Sequence, residues 1–525
     1  MKALSPERMA KYDEYAIRVW GIPSAVLMEN AGRTTYRLAK ERYLIPGSRL
    51  TVFCGRGNNG GDGFVIARYA LRDGFSARAF LLCKTSDLKG DTALNMGLFE
   101  SLGGVITEID DASFPLAKAS LKETDVIVDA IFGTGLSKPV SGFEGRIIEL
   151  INHSGKTVIA VDIPSGVDGR TGVPLGTAVK ATHTYTYGYP KLGQLFYPGA
   201  YHAGGLTVID ISLPPHGETV LGVDANIVDG ELIRGFLKDR MPWAHKGTFG
   251  HVAVIAGSPG KTGAAYMASL AALKIGAGLV TLLIPQALNA VMEVKLTEVM
   301  TYPVADGGSG YFVLSSYDEI LEFISDKDVV VMGPGLSQHE ETQEIVRRLF
   351  AKTDKPFVID ADAINAFAGH TDLIAEAKRS AVFTPHPGEL GRLMKLSPME
   401  INADRMSVGK GFVEKTEMNL VLKGARTIIF DNQGEAFIIP PGNPALAKGG
   451  SGDILTGFIG GLLAQGYSMT EASILGAYLH GYAADNFVEE STDMDLLAGD
   501  LLVETGRVLR EIKRGTDRVY IEKSL

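Results

Sequence analysis

The stretch RLTVFCGRGNNGGDGFVIARYALRDG, residues 49–74, decides the fold. It opens with a run of apolar and β-prone residues, RLTVFC (49–54), of the kind that forms a strand covered on both faces. A glycine-rich segment, Gly55 to Gly63, follows. FVIARYALRDG (64–74) then carries a helical pattern that stops at Gly74. Strand, glycine-rich turn and helix in that order form the repeating unit of a parallel sheet.

Working outward, the same alternation recurs. ARAFLLC (77–83), DVIVDAIF (125–132) and TVIAVDIP (157–164) read as buried strands, with helical patterns between them, as near 91–102. HTYTYGY (183–189) and GLTVIDISL (205–213) complete the series, which predicts a doubly wound sheet. PPHGETVLGVDAN (214–226) has the Pro and Gly content of a linker. A second α/β series follows it: HVAVIAG (251–257), LVTLLIP (279–285), DVVVMGPG (328–335), PFVIDADAI (356–364), AVFTPHPGE (381–389) and NLVLKGARTIIF (419–430). The stretch 451–513 reads as helical. The chain has 525 residues, and single cores rarely grow past about 250–300 residues. Two α/β domains are therefore expected, 1–215 and 226–525. No solenoid period is visible, and the halves do not resemble each other.

Net charge is −10, with 45% hydrophobic residues. This excludes wholesale disorder and argues against nucleic-acid binding by bulk charge. An anionic ligand would have to be held by backbone dipoles and a few placed cations. The two cysteines, Cys54 and Cys83, lie in apolar runs and read as buried thiols, which fits a reducing compartment. MKALSPERMAKYDEYAIRVW lacks the apolar region of a signal peptide, and Ser5-Pro6-Glu7 reads as a helix start. No uncharged apolar run reaches about 18 residues. No membrane partner and a cytoplasmic location are expected.

The segment Gly55 to Gly63 contains G-x-G-x-x-G, the dinucleotide fingerprint. That motif also needs an acidic residue after the next strand, for the ribose. Here the strand ends Leu82-Cys83-Lys84, so the test fails. The Asn58-Asn59-Gly60-Gly61-Asp62 core says more. Gly and Asn accept left-handed angles, so successive N–H groups could line one concavity. Asp62 suits contact with hydroxyls or a cation better than contact with phosphate. Two further loops, Asp129 to Gly135 and Asp162 to Gly166, follow later strands. Ligands of open parallel sheets bind at the carboxyl ends of strands, so these loops are expected to converge on one site.

NNGGDG, DAIFGTG and DIPSG resemble the three signatures of the NAD(P)H-hydrate epimerase domain. The resemblance implies a Rossmann-like, three-layer αβα fold that interconverts the R and S hydrates of NADH and NADPH. It also implies that Asn58, Asn59, Gly60, Gly61 and Asp62 line the hydrate, together with Gly133, Thr134, Gly135, Leu136, Ser137, Lys138 and Pro139. Asn59, Asp129 and Ser165 would hold a potassium ion. Asp162 would contact substrate and act as the catalytic carboxylate, because inverting the hydroxyl-bearing carbon needs placed proton transfer.

In the second half, Gly257-Ser-Pro-Gly260-Lys261-Thr262 falls short of a phosphate-binding P-loop, because Ile255 stands where that pattern needs Gly. The strong signal is NPALAKGGSGD, with Asn443, Pro444, Ala445, Leu446, Ala447, Lys448, Gly449, Gly450, Ser451, Gly452 and Asp453. The apolar helix ILTGFIGGLLAQG follows. Glycines at a helix N-terminus bind anions through free N–H groups. Asp453 there is expected to stay ionised in the helix dipole and to serve as a base toward a hydroxyl attacking a phosphoryl group.

HKGTFGHVAVIAGS, GPGL, DADAIN, TPHPGE, KGART and NPALAKGGSGD together resemble the ADP- or ATP-dependent NAD(P)H-hydrate dehydratase domain, of ribokinase-like fold. The resemblance implies phosphorylation of the hydrate hydroxyl and elimination to NAD(P)H. With ADP the products are AMP and phosphate, and magnesium accompanies the nucleotide. Lys423, Gly424, Ala425, Arg426, Thr427 and Asn443 to Gly452 would bind ADP. Ala264, Ala265, Gly335, His386 and Asp453 would touch the hydrate. Relatives often carry Thr where this chain has Lys448. A homo-oligomer is implied as well, with the N-terminal helices as a candidate interface. The rival reading is a ribokinase-type small-molecule kinase fused to a silent nucleotide-binding module.

Overall fold

The computed structural model describes residues 1–377 and 380–524. The chain forms two compact units. One comprises Lys2–Ala225 together with the C-terminal residues from Ile521 onward; the other holds Asn226–Tyr520. The expected second domain ran to 525, but the terminal strand Glu522–Lys523 pairs with Gly205–Ile209 of the first unit. Leu525 lies outside the described residues.

The first unit is an all-parallel, eight-stranded sheet. Its order is Glu522–Lys523, Gly205–Ile209, His183–Tyr187, Thr157–Val161, Val126–Ala130, Arg49–Cys54, Ser76–Leu81, Val105–Glu108. Alternate residues of each strand enter different cores. Val52 and Val128 join Phe64 and Phe99 on one face, while Phe53 and Ile127 join Ile147 and Ile151 on the other. Fully burying such a side chain contributes about 1.5–3 kcal/mol, so helices on both faces make three layers. The N-terminal helix Pro6–Arg18 starts as expected, with Ser5 accepting from the Arg8 N–H. Strand order reverses between Arg49–Cys54 and Val126–Ala130, with Cys54 beside Ala130. A crevice opens at such a switch point, and the Gly55–Gly63 and Ile131–Gly135 segments leave from there.

The second unit's sheet runs Ala225–Ile227, Ala436–Ile438, Ile428–Phe430, Asn419–Leu422, Ala381–Phe383, Phe357–Ile359, Val329–Met332, His251–Ile255, Leu279–Pro285, Met300–Val304. The run 419–430 is not one strand. Gly424 and Arg426 take positive φ and turn it into an antiparallel hairpin, Asn419–Leu422 against Ile428–Phe430. The expected C-terminal helical region is three helices, Ser451–Ala464, Met469–Glu490 and Asp500–Arg514. The apolar helix Ser451–Ala464 lies in the core with Ala268, Ala271 and Ala272 of helix Thr262–Lys274. Glycines allow the approach: a Cβ on Gly457 would sit 2.2 Å from the Ala268 carbonyl oxygen. Among the described residues no helix is long and apolar enough to cross a membrane. Cys54 is buried as expected, whereas Cys83, past the strand end, is half-buried.

Candidate active sites

The glycine-rich loop of the first unit is not a left-handed nest. Asn58 to Asp62 form the opening turn of helix Asn58–Arg72, and none of Gly55, Gly57, Gly60, Gly61 or Gly63 has positive φ. The glycines serve close approach instead. A Cβ on Gly55 would lie 1.9 Å from the Ile131 carbonyl oxygen, and one on Gly60 2.1 Å from that of Gly55. This contact brings the 58–62 turn against the 131–135 loop.

A cleft of about 830 Å³ opens there. Asn58, Asn59, Asp62, Asp162 and the whole Gly133–Pro139 segment line it. Gly60 and Gly61 do not. They are buried in the helix turn, Gly61 against Met28. Asp162 has φ of 62°, a left-handed conformation that is costly for a non-glycine residue. The Gln194 side-chain amide donates to its carbonyl at 2.6 Å, and the Tyr187 N–H donates to its carboxylate at 3.1 Å. The Lys191 ammonium pairs with the same carboxylate oxygen. Asp62 is buried, and burial with the charges of Asp162 and Asp13 pushes its carboxyl well above the usual range. Burial, opposed by Lys191, raises Asp13 to about 6.

Behind the cleft lies an oxygen cluster. Ser165 Oγ donates to Asp129 at 2.5 Å, the Ser165 N–H donates to the other carboxylate oxygen at 2.8 Å, and Asn59 Nδ2 donates to the Phe132 carbonyl at 3.2 Å. Asn59 Oδ1 is buried with no hydrogen-bond partner. Asn59 and Ser165 both reach the Phe132 carbonyl, Ser165 Oγ at 3.2 Å, so the orphaned buried carbonyl and the buried Asp129 carboxylate belong to one cluster of the oxygen donors a hard cation takes. Sequence reasoning missed Lys191, Asp13, Tyr187 and Gln194. The usable signal was a lone Lys in the run TYGYPKLGQLF (186–196), where it is 1% exposed.

The second site gathers around Lys423. Its ammonium meets Asp360 at 2.7 Å and Glu389 at 3.9 Å. It lies 3.4 Å from where a Cβ on Gly452 would sit, so it stands beside the N-terminal turn of helix Ser451–Ala464. Gly450, at φ of 97°, turns the chain into that helix. Arg405 braces the 423–427 turn by donating to the carbonyls of Leu422, Ala425 and Arg426. The Arg426 guanidinium donates to the Pro440 carbonyl, and the Thr427 hydroxyl to that of Gly424. Asn443 is held by Asp485 at 2.8 Å, and Ala445 is buried in the 444–446 turn. The Lys448 ammonium donates to the carbonyls of Met494 and Leu496, which gives this departure from Thr a local role.

Asp453 lies in the helix's first turn but does not stay fully ionised. Burial first, then the Asp360 carboxylate, raises it to about 7, against the pull of Lys423. Desolvation thus outweighs the dipole expected to hold it charged. His386 caps helix Pro387–Met394, accepting from the Gly388 N–H at 3.0 Å, with its side chain 52% exposed. The Gly335 carbonyl accepts from Ser258 at 2.7 Å, and Ala264 faces Gly335. Ala265 is fully buried, against Gly257.

Fold and sites define a tandem α/β enzyme. One unit carries a carboxylate–lysine cleft, and the other a glycine-led helix terminus with a buried carboxylate. Residues 24–193 match the family model described as YjeF-related protein N-terminus, and residues 252–505 the one described as NAD(P)H-hydrate dehydratase. The chain is 37% identical over 522 residues to a bifunctional NAD(P)H-hydrate repair enzyme of Moorella thermoacetica, covering 99% of this chain and 98% of that one. It is 34% identical to the enzyme of that name from Escherichia coli, covering 97% and 94%. A crystal structure of an ADP/ATP-dependent NAD(P)H-hydrate dehydratase from Bacillus subtilis is 29% identical, with a TM-score of 0.49, covering 55% of this chain and 99% of that one. The chain belongs to the family of bifunctional NAD(P)H-hydrate repair enzymes. Full-length similarity to fused enzymes disfavours a kinase joined to a silent module.

Proposed function

We propose that the first unit epimerises the R and S hydrates of NADH and NADPH, and that the second dehydrates the S form to NAD(P)H at the expense of ADP. The observation that carries this reading is that each unit holds its own carboxylate site. Asp162 is braced by Lys191 in the cleft, and Asp453, raised to about 7 by burial, stands in the first turn of a glycine-led helix.

In the cleft, Asn58, Asp62 and Gly133 to Pro139 hold the hydrate, and Asp162 moves the proton at its carbinol centre. Asn59, Asp129 and Ser165 would hold potassium, which would supply positive charge beside the buried Asp129 carboxylate.

In the second unit, Gly449 to Gly452 and Lys423 hold the phosphates of ADP, while Lys423 to Thr427 and Asn443 to Lys448 frame the nucleotide. Asp453 takes the proton from the hydrate hydroxyl as that oxygen attacks the terminal phosphoryl group. A bond to phosphorus forms and the bond to AMP breaks; loss of phosphate together with a proton from the neighbouring ring carbon then restores the nicotinamide ring. Magnesium would come with the nucleotide and would offset its phosphate charge. Gly335, His386 and Ala264 face the hydrate.

The test supplies mixed R and S hydrates with ADP or ATP and follows recovery of nicotinamide absorbance. Consumption of both epimers is expected. Consumption of S alone removes the epimerase, and no recovery with either nucleotide refutes the dehydratase.

A further inference from the structure

Asp360 ends the strand Phe357–Ile359, has no part in the chemistry above, and is 1% exposed. Its Oδ1 accepts from Lys423 Nζ at 2.7 Å and from Thr384 Oγ1 at 2.7 Å. Its Oδ2 accepts from Thr456 Oγ1 at 2.6 Å. The donors come from three places: the turn after Ala381–Phe383, the head of the hairpin loop after Asn419–Leu422, and helix Ser451–Ala464. One carboxylate therefore ties Lys423 to the helix whose first turn carries Asp453. Replacing a buried ion pair with apolar groups is often neutral or stabilising, so stability alone is a weak reason to keep this one.

We propose that Asp360 is the positioning residue of the second site: it holds Lys423 against the glycine loop and ties both to the helix turn that carries Asp453. This rests on the reading of Asp453 as the base.

The charged and titratable groups facing Asp453 are Asp360, Lys423, Asp362 and Glu389. Asp362 is itself paired with Lys261, and Glu389 with His386. His480, from helix Met469–Glu490, meets the loop at the Ser451 carbonyl. After burial, Asp360 is the largest influence raising Asp453, and Lys423 pulls it down. The two charges therefore act on the base with opposite sign.

The experiment follows dehydration of the S hydrate by the full chain across pH. In D360N the low-pH limb of kcat/KM is expected to move down by about 1 unit. The KM for nucleotide should rise as Lys423 loses its anchor. In K423M the limb is expected to move up. Should D360N fail to fold with Lys423 unpaired, the double variant D360N/K423M removes both charges, and its limb should lie below that of K423M. A limb unmoved in D360N, or equal limbs in the double variant and K423M, overturns the proposal and leaves Asp360 a packing group. D453N separates the two readings. If it keeps the wild-type profile, the reading of Asp453 as the base is lost, and this proposal with it.

Discussion

The Lys191 ammonium rests on the Asp162 carboxylate, and both face the same cleft, although 28 residues separate them in the sequence. Lys191 is 1% exposed and also donates to Thr186 Oγ1 at 3.0 Å and to the Tyr187 carbonyl at 3.1 Å. The pair fixes where a carboxylate on a strained backbone points. Asp162→Asn is expected to leave both units folded and to slow epimerisation about 100- to 10,000-fold. Chromatographic separation of the epimers measures this, and dehydration of the S form should persist. Lys191→Met should also destabilise the first unit, by about 3 kcal/mol, because it strands a partly buried carboxylate.

The pH response of the second site has a definite sign. Asp453 is raised from an ordinary 3.8 to about 7, and a base must be ionised to work. Dehydration should rise with pH through about 7 and fall below it. The folded state holds this proton more tightly than the unfolded chain. Its contribution to stability is therefore complete below the ordinary carboxylate range and is lost as pH rises through about 7. Denaturant melts of wild type and Asp453→Asn across pH measure the second effect.

Potassium dependence is expected to reside in Asn59, whose Oδ1 is buried without a partner. Exchanging potassium for a larger organic cation should lower epimerisation in the wild type. Asn59→Ala should be slow and indifferent to the exchange. A wild-type rate unchanged without potassium would falsify the ion's assignment.

Gly60→Ala should cost about 1–3 kcal/mol or more, because the added carbon would sit 2.1 Å from the Gly55 carbonyl oxygen. Calorimetry should show a lowered transition for the first unit, with the second unit's unchanged.

Lys448→Ala should cost about 1 kcal/mol at this exposed site and raise the KM for nucleotide, since Lys448 ties the glycine loop to the 494–496 segment. Nucleotide titrations of the dehydratase measure the change.

Strand positions, the two α/β series and the chemical loops were legible because they depend on local pattern. Val52 and Phe53 had to be apolar wherever the sheet lay, and Gly449 to Asp453 had to precede an apolar helix. The edge strands Val105–Glu108 and Met300–Val304 were not legible, since polar residues and Pro303 interrupt their apolar runs. The loop at 55–63 was legible as a site but misread in its backbone. Its glycines answer to Ile131 and Gly55, across a gap that no local pattern encodes.

The sequence alone determined two sheets, the loops at their strand ends and the carboxylates those loops carry, because hydrophobic period and turn chemistry act over a few residues. Only the tertiary structure decided how those carboxylates behave. Asp453 is raised by burial and by Asp360, and Asp162 is aimed by Lys191 and Gln194. Desolvation and Coulomb interaction depend on distance in space, and the residues that set them lie tens of positions away along the chain.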